Sequence, residues 1–85
     1  MEMTQLEFFL KVIEEGSFSK AADSVGRTQP AVSIAIRRLE EEIGAPLLDR
    51  SQKSPVLTEA GEVVHDYARR ILTLRDQARV TVAEL

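Results

Sequence analysis

The chain of 85 residues contains no cysteine, which excludes a disulfide framework and any thiolate-bound metal. It has one histidine, His65, so no histidine pair can hold a metal, and a helical register places that residue off the apolar seam of the last helix, on the surface. Four glycines and three prolines form no phosphate-cradling loop. They stand at element ends instead, which confines expected disorder to the termini and one polar turn. No apolar run approaches a membrane span, and the N-terminus lacks the basic, apolar and small-residue order of a signal sequence. A cytoplasmic location is the expectation. Glu40-Glu41-Glu42 spreads around most of a helix circumference and cannot converge on one ion. With no cysteine nucleophile either, neither an enzyme nor a resident cofactor or metal is expected. A single domain of this size buries a limited share of its surface, which favours association.

What the chain does contain is helical periodicity, in the order helix, helix, helix, hairpin, helix. Thr4-Gln5-Leu6-Glu7 reads as a capping box, followed by Leu6, Phe9, Leu10 and Ile13 on one core-facing side and Gly16 as the stop. Ser17 or Ser19 then caps a short helix carrying Ala21, Ala22 and Val25. Val25-Gly26-Arg27-Thr28 hinges this helix to the next. Ala22, Gly26 and Val32 fall at spacings of four and six, as a helix-turn-helix requires. A small residue permits a close crossing, one tolerating positive φ makes the sharp turn, and an apolar residue locks the second helix down.

In that second helix Thr28 is the N-cap, and Pro30 falls in the first turn, where a missing N–H costs nothing. Val32, Ile36, Leu39 and Ile43 form a stripe facing the core. Pro30, Ser33, Ile34, Arg37 and Glu41 lie on or near the opposite side, with Gln29 between the two faces. An amide, a hydroxyl, an apolar group and a guanidinium can pair with adenine, with either strand's edges, with a thymine methyl, and with guanine or phosphate. A B-DNA major groove admits such a helix, so DNA binding is the leading expectation. The plain alternative is a solvated helix face, and the Ala-x-x-x-Gly hinge ahead of it tells against that.

The helix ends at Gly44, and Pro46 prevents its resumption. Leu47 to Thr58 holds two short extended pieces around Ser51-Gln52-Lys53-Ser54-Pro55, a polar turn that forms a wing. Thr58 caps the last helix. There Ala60, Val64, Tyr67, Ile71, Leu74, Ala78, Thr81 and Leu85 recur at steps of three and four, a heptad seam that calls for a partner helix. Val63, Ala68 and Leu72 flank the seam and could pack on the domain itself. A second copy is the economical partner, and two-fold symmetry then predicts a pseudo-palindromic duplex site; the alternative is that this helix merely closes its own domain. The division expected is a winged helix-turn-helix over residues 1–58 and a linker and dimerisation helix over 59–85.

Five motifs in order carry a family resemblance: Gly16-Ser17-Phe18-Ser19-Lys20-Ala21-Ala22, Thr28-Gln29-Pro30-Ala31-Val32-Ser33, Ile36-Arg37-Arg38-Leu39-Glu40, Gly44-Ala45-Pro46-Leu47-Leu48-Asp49-Arg50 and Leu57-Thr58-Glu59-Ala60-Gly61. Together they resemble the N-terminal domain of LysR-type transcriptional regulators over essentially the whole chain. The resemblance implies a mainly α winged helix-turn-helix of three helices and a two-stranded wing, then a long linker helix that pairs antiparallel in a dimer. It also implies a bacterial regulator whose small-molecule effector is sensed by a C-terminal domain that this chain would lack. On that basis base readout falls to Gln29, Pro30, Ser33, Ile34 and Arg37. Backbone contact falls to Ser17, Ser19, Lys20, Arg27, Thr28, Arg38, Arg50 and Lys53. For Arg50 the competing expectation is a salt bridge to Asp49 or Glu42. Lys53, on a loop tip, would assist phosphate attraction without a specific contact. Three positions depart from the family pattern. Gly26-Arg27 replaces a polar–aliphatic pair, so the Arg27 stem would cover the apolar hinge while its head reaches phosphate. Leu48 stands where phenylalanine is common. Ile34-Ala35 occupy positions often polar in relatives, with thymine-methyl contact as the physical substitute.

Net charge argues against a nucleic-acid partner, because the chain is acidic at −3. The acidity is unevenly placed. Residues 1–16 sum to −3, residues 17–58 to +1 and residues 59–85 to −1. The local field governs phosphate attraction more than the total does. Two alternatives stay open at this point: a winged-helix protein-interaction module, in which the acidity matters, and the DNA-binding domain of another regulator class such as a molybdate-responsive repressor.

Overall fold

Four helices and one short antiparallel ribbon account for residues 1–85 in the computed structural model: α1 (Met3–Glu15), α2 (Phe18–Val25), α3 (Gln29–Ile43), β1 (Leu48–Asp49), β2 (Val56–Leu57) and α4 (Glu59–Ala83). α1 packs against α2, α3 and α4 at once. That encirclement widens its buried arc beyond the single expected stripe. Leu6, Phe8, Phe9 and Val12 are buried, whereas Leu10 and Ile13 sit half-buried at the edge. The helix also starts earlier than expected. Glu2 rather than Thr4 is the N-cap, and its N–H donates to Gln5 Oε1 at 3.0 Å. The Met1 ammonium pairs with Glu42 of α3 at 2.6 Å.

The hinge forms as its spacing requires. Gly26 takes φ +68°, the Arg27 N–H donates to the Ala22 carbonyl at 3.0 Å, and Ala22 is buried at the crossing. Of the two candidate caps for α2, Ser17 is the one used, its hydroxyl accepting from the Lys20 N–H at 3.1 Å. Thr28 caps α3 by accepting from the Ala31 N–H at 3.2 Å. Val32, Ile36 and Leu39 are buried as expected, but Ile43 is 40% exposed. The core ends one turn earlier, and the last turn of α3 runs past it.

The wing pairs Leu48 with Leu57 and Asp49 with Val56. Asp49 accepts from the Ser51 hydroxyl at 2.6 Å and from the Ser51 N–H at 2.9 Å, which starts the turn and holds its carboxyl below the usual carboxylate range. Leu47 and Leu48 plug the ribbon into the core, so leucine fills the Leu48 site without loss of burial.

At the base of the wing, Thr58 joins three segments. Its N–H donates to the Leu47 carbonyl at 3.1 Å, its hydroxyl donates to the Pro46 carbonyl at 2.6 Å, and that oxygen accepts from the Gly61 N–H at 2.9 Å.

α4 divides the expected heptad seam into two faces. Ala60, Val64 and Ile71 pack on the domain's own core beside buried Gly61 and Ala68 and half-buried Leu72. Tyr67, Leu74, Ala78, Thr81 and Leu85 are exposed, and so is Val63, which was expected to pack inward. Two adjoining apolar arcs on one helix merge into a single seam when only spacing is read. His65 is likewise half-buried, not on the open surface, and meets Phe9 edge-on at 6.1 Å, because the inward arc of α4 is broad enough to include it. From Asp76 to Leu85 every residue is exposed, so the last turns of α4 project beyond the domain. No helix is long and apolar enough to cross a membrane.

Candidate nucleic-acid interface

The outward side of α3 stands clear of the rest of the protein. Gln29, Pro30, Ile34, Arg37 and Arg38 are exposed and Ser33 is half-buried, while the opposite side of the helix supplies three core residues. Ile34, at 49% exposure, makes an apolar ridge with Pro30 one turn before it. Arg37 flanks that ridge toward the wing.

Beside this helix lies an open depression of about 300 Å³ whose walls come from three separate elements. Ser17 and Ser19 from the start of α2, Gln29 from the start of α3, and Arg50 and Lys53 from the wing meet there. Five of the residues expected on sequence grounds are thus brought together, with Phe18, Gln52 and Pro55 added to the wall. Lys20, Arg27, Thr28 and Arg38 do not line it. Arg27 lays its guanidinium over the Phe8 ring of α1 at 5.7 Å.

The hydroxyls of Ser17 and Thr28 each accept from a backbone N–H of the helix they cap. Their own protons remain available to donate to an anion.

The charge distribution is more favourable than the total suggests. Lys20, Arg27, Arg37, Arg38 and Lys53 take part in no ion pair. The acids of α1 and α4 are partly engaged elsewhere: Glu14 with Lys11, Asp66 with Arg70, and Glu7 and Asp76 with Arg75. Those contacts hold the Arg70 and Arg75 guanidinium groups above their ordinary range, through the Asp66 hydrogen bond in the first case and the Glu7 bond in the second.

Arg50 does form a salt bridge, but with neither acid expected. Its partner is Glu40, and Asp49 is occupied by Ser51. Glu40 was hidden in the sequence inside an acidic triplet. Its angular position beside the Val32–Leu39 stripe set it apart from Glu41 on the opposite side, but not from Glu42, which borders the other edge of the stripe and pairs with the Met1 ammonium. Gly61 was likewise visible only as part of a motif.

A three-helix unit closed by a two-stranded wing, with the third helix presented outward, is a winged helix-turn-helix. The family model described as "Bacterial regulatory helix-turn-helix protein, lysR family" matches residues 3–62. The chain belongs to that family.

A "Probable RuBisCO transcriptional regulator" of Cyanidioschyzon merolae is 49% identical over 75 residues, covering 88% of this chain and 25% of the relative. The "HTH-type transcriptional regulator BudR" of Klebsiella aerogenes is 45% identical over 78 residues, covering 92% of this chain and 54% of the relative. The chain therefore spans a quarter to about half the length of these relatives. Among solved structures, the "BenM_DBD/catB site 1 DNA Complex" superposes with a TM-score of 0.95 at 38% identity, covering 99% of this chain and 93% of that one. The family match sets aside the molybdate-responsive alternative.

Proposed function

We propose that this chain binds double-stranded promoter DNA as a two-fold dimer and regulates transcription in the bacterial cytoplasm. The observation that carries the reading is the exposed side of α3, standing beside a depression that gathers hydroxyl and cationic groups from α2 and the wing. With α3 in the major groove, Gln29, Pro30, Ser33, Ile34 and Arg37 read base edges. Ser17, Ser19, Lys20, Arg27, Thr28, Arg38, Arg50 and Lys53 meet the sugar-phosphate backbone. Similarity to a regulator domain crystallised with DNA supports the same assignment.

The exposed stripe of Tyr67, Leu74, Ala78, Thr81 and Leu85 on α4 supplies the dimer contact. Two domains related by two-fold symmetry then read a pseudo-palindromic site.

Titrating salt against binding to a random duplex tests the class of partner. A steep linear fall of log affinity with log salt is the expected result, and a flat response points to a protein-interaction module instead. Removing the cation in Lys53→Ala should weaken binding to all sequences alike and reduce the salt slope by about 1. Arg37→Ala should instead cost about 1–3 kcal/mol on the preferred site and relax selectivity at one base pair. Equal losses on every site variant would move Arg37 from base readout to phosphate contact.

A further inference from the structure

Glu40 belongs to α3, yet its carboxylate serves the wing. Oε2 accepts the Leu47 N–H at 2.8 Å and the Leu48 N–H at 3.3 Å, which ties the start of β1 to the third helix. The same carboxylate holds Arg50 in a two-point grip, Nη2 to Oε1 at 3.1 Å and Nη1 to Oε2 at 3.5 Å. The guanidinium also lies over the Phe18 ring at 5.4 Å. Only 11% of the Glu40 side chain is exposed, against 33% for Arg50, so the acid is recessed and the cation is presented.

Arg50 occupies a wall shared by two depressions. On one side are Ser17, Ser19, Gln29 and Lys53, and on the other Arg37 and Glu41. A solvated arginine on a loop would sample many rotamers and lose that freedom on contact, whereas a planar fork already held by carboxylate and ring loses little.

We propose that Glu40 is a positioning residue for DNA binding. It acts through Arg50, fixing that guanidinium beside the groove-facing side of α3 so that its remaining N–H groups meet the sugar-phosphate backbone. This rests on the DNA-binding reading above.

The idea makes a counterintuitive demand on charge. An acid beside a polyanion ordinarily weakens binding, so Glu40→Gln, which removes one negative charge, should strengthen it if Glu40 is merely a neighbour. Glutamine keeps the length and one carbonyl acceptor for the Leu47 and Leu48 N–H groups but loses the ionic two-point grip.

The test uses the whole chain and a labelled random-sequence duplex of about 30 base pairs, three helical turns. Glu40→Gln is expected to bind roughly tenfold more weakly at fixed salt. That loss should disappear in the Arg50→Ala background, where there is nothing left to position. Amide resonances of Leu47 and Leu48 report whether the wing stays docked.

Arg50→Lys keeps the charge without the planar fork and serves if Glu40→Gln fails to fold. It too should bind roughly tenfold more weakly, with the salt slope retained. Unchanged or tighter binding by Glu40→Gln, an equal loss in the Arg50→Ala background, or wild-type affinity in Arg50→Lys overturns the proposal while leaving DNA binding intact. Absence of salt-dependent duplex binding by the unmodified chain overturns the DNA-binding reading, and the positioning role falls with it.

Discussion

Replacing Gly61 with alanine is expected to lower stability by roughly 3 kcal/mol or more, the upper end for forcing volume into a packed interior. For a domain of this size that corresponds to a fall in Tm of roughly 12–24 °C. The reason is a close approach of backbones. A Cβ at Gly61 would lie 2.0 Å from the Leu47 carbonyl oxygen and 2.9 Å from its carbonyl carbon. Neither atom is the movable end of a side chain. Leu47 cannot retreat freely, because its N–H is held by Glu40 and its carbonyl by the Thr58 N–H.

Helix propensity predicts the opposite sign, since alanine is favoured over glycine inside a helix by about 1 kcal/mol. Thermal unfolding of Gly61→Ala therefore separates the two effects cleanly. A midpoint equal to or above that of the unmodified chain would show that α4 and the wing base do not meet this closely. Relief of the clash by outward movement of Leu47 would carry the wing with it, so duplex binding should fall along with stability.

The helix-turn-helix was legible in the sequence because its requirements are local. A small residue, a positive-φ residue and an apolar lock at set spacings leave few other ways to connect two short helices, and Ala22, Gly26 and Val32 took those roles. Periodicity, however, reports an angle about one axis and says nothing of how many neighbours surround it. α1 has three neighbours, so Phe8 and Val12 are buried outside the expected stripe. α3 outruns the core, so Ile43 lies within the stripe yet is exposed.

The depression at the wing was legible in its members but not in its assembly. Ser17, Gln29 and Arg50 were each singled out, while their meeting depends on the tertiary link from Glu40 to Leu47, Leu48 and Arg50. A carboxylate that satisfies backbone N–H groups of a later segment has no sequence signature beyond its place next to an apolar stripe.

Leu74→Glu is expected to leave the chain monomeric and to reduce affinity for a two-half-site duplex by roughly 100-fold or more, the usual gain from joining two binding modules. Leu74 is 64% exposed on the free face of α4, near Tyr67 at 54%, while the domain's own core is closed by Ala68, Val64 and Ile71 on the adjoining face. The fold of a single copy therefore does not need Leu74. A dimer does, because burying one leucine side chain contributes about 1.5–3 kcal/mol, and two-fold symmetry counts it twice. Glutamate would bring two like charges into the same interface.

The projecting turns after Arg75 strengthen the case. Residues 76–85 pack on nothing within the copy, so the end of α4 gains no tertiary burial there, and tertiary packing of an apolar face is the main source of helix stability. Sedimentation equilibrium should report a dimer for the unmodified chain and a monomer for Leu74→Glu. Thr73→Glu, also exposed but off the apolar stripe, should remain dimeric. Binding to a duplex with one half-site should be the same for all three proteins, since each recognition helix is unchanged. A Leu74→Glu protein that still sediments as a dimer places the interface elsewhere. An unmodified chain that stays monomeric at micromolar concentration removes the two-fold reading of the operator altogether.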